Sequence, residues 1–222
     1  MSTLYIIATP IGNLKDITLR ALQVLKEVDL ILCEDTRVTK KLLNHYQIKT
    51  PTLSYHQHSK LKKIEYIIQL LKEGKNLALV SDAGTPGISD PGNLLIKEAI
   101  KRLGDEIKII PIPGPSALTS AASISGFPMD KFLFLGFPPA KRKRKKFFQE
   151  IAHSKYPVIF YESPYRILKT LKELSVFINE QEIIVCRELT KKFEITYRGK
   201  IKEIIKKLEK DKIKGEFTVI VR

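Results

Sequence analysis

The chain has 222 residues, 43% of them hydrophobic, and a formal net charge of +15. This length and composition allow one large or two small domains with an ordinary core, and they exclude a disordered chain. The charge favours a polyanionic partner, nucleic acid ahead of an acidic membrane surface, although a lysine-rich surface that only maintains solubility is the alternative.

The cysteines and the N-terminus bear on the cellular compartment. Cys33 and Cys186 each lie in an apolar run, which favours buried reduced thiols over a disulfide or a metal site. The first residues lack a basic leader and a cleavage pattern, and no apolar run approaches bilayer-spanning length. We therefore expect a cytoplasmic protein without a membrane association.

The first half of the chain alternates apolar runs of strand length with segments of helical periodicity. The runs cover residues 4–8, 29–33, 52–55, 77–80 and 107–110. This alternation predicts an α/β fold with a Rossmann-like parallel sheet and right-handed crossovers. We expect Asp16 to cap the first helix and a short helix to span residues 36–45.

A polar or glycine-rich cluster follows each of these five predicted strands. The clusters are Pro10–Gly12, Glu34–Arg37, His56–His58, Asp82–Gly87 and Pro113–Ser116. In parallel sheets, ligands bind beyond the carboxyl ends of the strands, so these clusters predict a binding site on one rim.

The longest of these loops, residues 81–92, contains Gly84, Gly87 and Gly92 together with two prolines. Glycine allows a ligand to approach the backbone closely and proline stiffens the loop, which favours a small-molecule site over a plain strand-to-helix connection. Asp90 and Pro91 predict the following helix start, as N-cap and first helical residue.

The second half has closely spaced strands with fewer crossovers. The apolar runs 132–136, 158–161, 183–186, 195–197 and 217–221 predict a mixed sheet. We therefore expect an N-terminal α/β domain at 1–113 and a C-terminal α+β domain at 114–222. The basic run 141–146 at a predicted helix start suits an external anion such as phosphate or, equally, a solvated lysine face.

Standard nucleotide motifs are missing from the sequence, which has neither a Walker A loop nor G-x-G-x-x-G. His56 and His58 lack further ligands at metal spacing, so we expect no metal. Glu34, Asp35 and Arg37 form either an acid-base group or a structural ion pair, and the residues alone leave both interpretations open.

Seven motifs together resemble those of small-subunit ribosomal RNA 2′-O-methyltransferases in the tetrapyrrole methylase superfamily. They are Thr9-Pro10-Ile11-Gly12-Asn13-Leu14, Glu34-Asp35-Thr36-Arg37, Ser54-Tyr55-His56-x-His58, the run from Ser81 to Gly92, Pro113-Gly114-Pro115-Ser116-Ala117, Arg187-Glu188-Leu189-Thr190-Lys191 and Gly215-Glu216-x-Thr218. The resemblance covers nearly the whole chain, and the Ser81–Gly92 motif is highly specific.

The resemblance implies an enzyme of the class III methyltransferase fold that uses S-adenosylmethionine, held in a cleft that the C-terminal domain completes. The implied acceptor is the ribose 2′-oxygen of a cytidine in the decoding centre of 16S rRNA, cytidine 1402, and the implied assembly is a homodimer. A methylase of the same fold acting on a small tetrapyrrole or a protein side chain, or a non-catalytic RNA-binding protein, is the alternative. Calorimetry with S-adenosylmethionine separates the last alternative from the enzymes.

The resemblance also implies roles for individual residues. The expected catalytic residues are Glu34, Asp35 and Arg37, with Glu34 or Asp35 as the base and His56 and Lys191 as competitors for that role. The expected cofactor-binding residues are Pro10, Gly12, Asp82, Gly84, Thr85, Ser116 and Ala117. The expected substrate-binding residues are His56, Lys141, Arg142, Arg144, Arg187 and Lys191.

Two features depart from the family pattern. Many relatives continue past the final strand into a helical segment that this sequence, ending at Arg222, does not contain. The residues after Lys191 also contain one acidic residue, Glu194, where relatives often have two. RNA docking is therefore expected to use the two core domains and the basic run.

Overall fold

The computed structural model describes residues 1–56 and 61–222, so the predicted His58 lies outside the described residues. The chain divides into two compact units, Met1–Ser116 and Ala117–Arg222. Within the described ranges, each unit is built on one five-stranded sheet.

The first unit alternates strands and helices as the sequence predicts. Its elements are β1 (Ser2–Ile7), α1 (Leu19–Glu27), β2 (Leu30–Cys33), α2 (Thr36–His45), β3 (Thr52–Ser54), α3 (Leu61–Lys72), β4 (Leu77–Val80), α4 (Asn93–Leu103) and β5 (Ile107–Ile112). The strands lie in the order β3-β2-β4-β1-β5, and all pair in parallel. The α/β prediction is confirmed.

Two buried layers cover the two faces of this sheet. Helices α1 and α2 pack Leu25 and Leu42 against Ile31 on one face. Helices α3 and α4 pack Ile67 and Leu95 with strand residues of the other face. The connection after β2 leads to one edge of the sheet and that after β4 to the opposite edge. Connections that diverge in this way leave a crevice between the carboxyl ends of the two strands.

Two predicted helix starts in this unit are wrong. Asp16 ends a 3₁₀ turn, Leu14–Asp16, and Thr18 caps α1 by accepting a hydrogen bond from the Ala21 amide at 3.1 Å. Helix α4 begins at Asn93, beyond the predicted Asp90 and Pro91, with Gly92 as its N-cap. The Asn93 side chain donates to the Gly87 carbonyl at 3.1 Å. This bond closes the loop at the first residue of α4.

The second unit is built on the predicted mixed sheet. Its elements are α5 (Ala117–Ser123), β6 (Leu133–Phe134), α6 (Arg144–Ala152), β7 (Val158–Glu162), α7 (Ile167–Leu174), β8 (Glu182–Arg187), β9 (Ile195–Lys200), α8 (Ile201–Lys210) and β10 (Phe217–Val221). The order is β6-β7-β10-β8-β9, in which β6 and β7 are parallel and the other pairs antiparallel. Its core includes Phe160, Leu171 and Ile204.

Candidate functional site: the carboxyl rim of the parallel sheet

The loops after β1 and β4 are joined into one structure. The Thr9 amide donates to the Gly84 carbonyl at 2.9 Å, and the Gly84 amide donates back to the Thr9 carbonyl at 3.0 Å. The Thr9 hydroxyl donates to the Ser81 carbonyl at 3.0 Å. Gly84 has φ +81°, in the left-handed region where a side chain is strained. The glycine therefore allows the Ser81–Gly92 loop to turn back onto the first loop.

The loop after β5 lies against the same structure. The Thr85 hydroxyl donates to the Pro115 carbonyl at 3.4 Å. Gly114 approaches Ala8 so closely that an added Cβ would lie 3.2 Å from the Ala8 Cβ. Three of the five predicted clusters thus form one continuous rim.

Carboxylates meet at the crevice between β2 and β4. The Asp82 carboxylate accepts a hydrogen bond from the Asp35 amide at 3.0 Å, which connects the ends of the two strands. Burial and then the negative charge of Asp82 raise the pKa of Glu34 above its usual value, while His56 lowers it. Burial also raises the pKa of Asp82. A cation placed here would relieve the crowding of these anions.

Asp35 differs from its neighbours because its carboxylate is already engaged. It is the N-cap of α2, accepts from the Arg37 amide at 2.8 Å, and pairs with the Arg37 guanidinium at 2.6 Å. The hydrogen bonds from Arg37 lower the pKa of Asp35 to about 2. The interpretation as an ion pair therefore applies to Asp35 and Arg37, while an acid-base role of Glu34, which lies outside the pair, stays a prediction.

The predicted cofactor residues divide between the two units. Those of the first unit lie on the loops after β1, β4 and β5: Pro10, Gly12, Asp82, Gly84, Thr85 and Ser116. Ala117 is the first residue of α5 in the second unit. His56 follows β3 and is exposed.

Within the basic run, the predicted substrate residue Arg144 is bonded to other residues of the second unit. Its guanidinium is buried, with the residue 8% exposed, and donates to Glu173 at 2.6 Å, to the Pro139 carbonyl at 2.8 Å and to the Thr170 hydroxyl at 2.9 Å. Lys141 and Arg142 precede α6 and are exposed. The basic run 141–146 therefore contains one buried arginine, Arg144, which is bonded within the fold, and exposed cations on both sides of it.

The side chains of Arg187 and Lys191 are bonded to other residues of the second unit. Arg187 is buried and donates to the Lys214 carbonyl at 2.8 Å. The Lys191 ammonium pairs with Glu188 at 2.9 Å and with Glu216 at 3.0 Å. Glu188 and Glu216, which were not among the predicted site residues, both lie inside the motifs that carry the family resemblance.

The described residues contain no group of three or more His, Cys, Asp or Glu side chains that could hold a metal ion. The same residues contain no helix long and apolar enough to cross a membrane.

Comparisons with known proteins agree on one family. The family model of tetrapyrrole (corrin/porphyrin) methylases matches residues 3–205. The chain is 49% identical to ribosomal RNA small subunit methyltransferase I of Thermotoga maritima, over 100% of this chain and 98% of the relative. It is 50% identical to the protein of that name from Mycoplasmopsis pulmonis, over 99% of this chain and 97% of the relative.

Solved structures show the same fold at low sequence identity. Diphthine synthase superposes with a TM-score of 0.76 at 12% identity, covering 100% of this chain and 90% of the other. The cobalamin biosynthetic enzyme cobalt precorrin-4 methyltransferase superposes with a TM-score of 0.69 at 20% identity, covering 99% and 94%.

Proposed function

Because the chain belongs to the tetrapyrrole (corrin/porphyrin) methylase family, we propose that it is an S-adenosylmethionine-dependent methyltransferase of small-subunit ribosomal RNA. The observation that carries this proposal is the 49% identity, over nearly the whole of both chains, to a relative named for that activity. The finer proposal is methylation of the ribose 2′-oxygen of a cytidine in the decoding centre of 16S rRNA.

The rim of the first unit fits a cationic cofactor. Glu34 and Asp82 follow the neighbouring strands β2 and β4, and their pKa values are raised by burial and, for Glu34, by the charge of Asp82. The Thr9–Gly84 pairing holds two of the loops together, and Gly84 has no side chain that would block the approach of a ligand. When bound, S-adenosylmethionine supplies a methyl group on a positively charged sulfur. Pro10, Gly12, Asp82, Gly84, Thr85, Ser116 and Ala117 would hold it.

Glu34 is the better of the two candidate bases. A ribose hydroxyl is barely ionised near neutral pH, so a protein group must accept its proton as the new bond forms. Asp35, with a pKa of about 2 and its oxygens bound to Arg37, is a weak acceptor. The pKa of Glu34 is raised toward the working range, which makes its carboxylate the stronger base.

Arg37 is suited to hold the acceptor RNA. Its side chain is 87% exposed while Asp35 fixes one edge of the guanidinium. An exposed guanidinium held in this way can contact a phosphate with its remaining donors. Positioning of the acceptor supplies much of the rate in transfers of this kind.

The test is methyl transfer in vitro. Purified protein and radiolabelled S-adenosylmethionine are incubated with small subunits from cells that lack this protein. We expect incorporation at one cytidine ribose, mapped by nuclease digestion, and none into subunits from cells that contain the protein. Incorporation into protein or into a base, or none into either preparation, would refute the assignment. Sedimentation equilibrium of the same preparation tests the homodimer, which also belongs to this proposal.

A further inference from the structure

One end of the second sheet gathers four loops. Strands β6, β7 and β8 end there, and β9 and β10 begin there, because Glu162 and Arg187 both pair with Phe217 and Arg187 pairs with Ile195. The loops are residues 135–143, 163–166, 188–194 and 211–216, which we call the Phe193 rim. The opposite end carries Lys131, Lys155, Tyr156 and Arg222, and we call it the Tyr156 rim.

The 188–194 loop of the Phe193 rim is tightly held. Glu188 exchanges hydrogen bonds with Glu216, its amide donating to the Glu216 carbonyl at 2.9 Å and its carboxylate accepting from the Glu216 amide at 3.0 Å. Lys191 bridges both carboxylates, and Glu194 accepts from the Thr190 amide. These bonds fix the loop from both ends.

The same loop contains backbone strain. Glu188 has φ +54° and Thr190 has φ +66°, left-handed conformations that non-glycine residues, and β-branched residues above all, rarely adopt. Such strain persists only where surrounding structure enforces it, and it concentrates at ligand-binding segments. Gly215, with φ +86°, packs so closely on Glu188 that an added Cβ would lie 2.2 Å from the Glu188 carboxyl carbon.

The hydrogen-bonded 188–194 loop carries an aromatic ring, that of Phe193, which is exposed to solvent. Phe193 is 64% exposed, and the Lys192 ammonium lies 5.6 Å from the centroid of its ring. Tyr165, on the neighbouring 163–166 loop, is 95% exposed. An exposed ring on a rigid loop can stack on an unpaired base with little loss of entropy on binding.

The charges of the rim favour RNA over a protein partner. Its exposed cations are Lys141, Arg142, Lys143, Lys192, Lys212 and Lys214, and none forms a salt bridge with any of the described residues. The acids Glu188 and Glu216 are paired with Lys191, and Asp211 accepts from the Tyr197 hydroxyl. Glu194 is exposed and accepts from the Thr190 amide, so the six cations outnumber this remaining acid. Cations interleaved with exposed rings are typical of a single-stranded RNA surface.

We propose that the Phe193 rim is a docking surface for single-stranded RNA, in which Phe193 and Tyr165 stack on unpaired bases and the surrounding lysines contact phosphates. This inference rests on the proposed function, because it assumes an RNA acceptor. It adds to that function an RNA-binding surface whose specificity comes from unpaired bases.

The test measures binding of the full chain to a labelled single-stranded RNA of about 12 nucleotides, within the site sizes of such surfaces, by fluorescence anisotropy over a range of salt concentrations. We expect Phe193→Ala to weaken binding by roughly 5-fold to 100-fold with the salt slope unchanged, since the ring has no charge. Phe193→Tyr should retain most of the affinity. Lys192→Gln with Lys212→Gln should lower the salt slope.

The Tyr156 rim provides the matched control. Tyr156 is 43% exposed and has Lys131 5.9 Å from its ring centroid, so it offers the same chemistry at the other end of the same sheet. We expect Tyr156→Ala to leave RNA affinity unchanged. An equal loss in Tyr156→Ala, or wild-type affinity in Phe193→Ala, would overturn the Phe193 rim.

Two further readouts separate this inference from the proposed function. Calorimetry with S-adenosylmethionine should give the same affinity for wild type and Phe193→Ala, which shows that the variant is folded. If the wild-type protein methylates subunits and Phe193→Ala binds RNA as well as the wild type does, the Phe193 rim is not the RNA-binding surface, and the proposed function is unaffected. Wild-type protein that neither binds RNA nor methylates subunits overturns both. A change of oligomeric state in Phe193→Ala without loss of RNA affinity assigns the rim to a second copy and also overturns the proposal.

Discussion

The two units carry similar numbers of acidic residues but very different numbers of basic ones. Residues 1–116 contain 16 Lys and Arg against 12 Asp and Glu, whereas residues 117–222 contain 23 against 12. The first unit also brings two carboxylates with raised pKa values to one crevice. In the Phe193 rim, Glu188 and Glu216 are paired with Lys191, Asp211 is bound to Tyr197 and Glu194 accepts from the Thr190 amide. Most of the net positive charge of the chain therefore belongs to residues 117–222.

This division suits the two ligands that we propose. A cationic cofactor is favoured by uncompensated carboxylates, and an RNA backbone is favoured by uncompensated lysines. A surface that presented both together would neutralise itself through ion pairs. We therefore expect variants of the first unit to change the chemical step and variants of the second to change RNA affinity or stability.

The largest effect should come from the first unit. Glu34→Gln should lower the methyl-transfer rate by about 10²-fold to 10⁴-fold, because the amide cannot accept the proton of the ribose hydroxyl. Single-turnover kinetics at saturating cofactor and subunits measure this rate. Asp35→Asn is the control, because asparagine also caps helices, so this variant should weaken the ion pair with Arg37, keep the helix cap and lose less rate. A greater loss of rate in Asp35→Asn would reassign the base.

The next effect concerns stability in the second unit. Arg144→Gln should lower the free energy of unfolding by on the order of 3 kcal/mol, because it removes three hydrogen bonds, one of which is the partly buried ion pair with Glu173. Urea denaturation measures the change. Lys145→Gln, at the next position and exposed, should leave stability nearly unchanged, and equal costs at 144 and 145 would contradict the separation of this run into structural and surface residues.

A smaller effect is expected in the salt dependence of RNA binding. Replacing Lys141, Arg142 and Lys143 together by Gln should reduce the slope of log K against log salt by about 2, since each phosphate contact on a single strand contributes about 0.7. The control replaces Lys97, Lys101 and Lys108 of the first unit, which are also exposed. An equal reduction in the control would show that the whole surface, and not the second unit, attracts RNA.

The smallest effect is a shift of the pH profile. Glu34 accepts a proton only when ionised, so the transfer rate should rise with pH through its raised pKa. Asp82→Asn removes a negative charge that raises this pKa, so the acid limb of kcat should move to lower pH. A limb that stays in place or moves to higher pH would show that another group limits the rate.

Much of the first unit could be predicted because its signals are local. Apolar runs of strand length alternate with amphipathic helices, and the helix at Thr36–His45 has the predicted bounds. The two wrong helix starts have one cause. A residue that is a typical N-cap in sequence does not cap the helix when a neighbouring turn forms the hydrogen bonds at that point. The bond from Asn93 to the Gly87 carbonyl is an example.

The roles of charged residues could not be predicted in the same way. Arg142 and Arg144 are two positions apart in one basic run, yet Arg142 is exposed and Arg144 is buried against Glu173 and Thr170. The sequence also left open whether Glu34 or Asp35 is the base, and the pairing of Asp35 with Arg37 is the reason that we propose Glu34. The burial of Arg144 depends on partners far along the chain, whereas the pairing of Asp35 with Arg37 is local and depends on the side-chain geometry at the start of α2.

By itself, the sequence determined the two kinds of sheet, the glycine-bearing loops at the strand ends and the family, because periodicity, turn residues and motif order are written along the chain. Only the tertiary structure decided which charges are paired, which are buried and which rings stand in solvent at the Phe193 rim. A charge takes its role from neighbours that can lie far along the chain, as Glu173 is from Arg144, and only folding brings such neighbours together.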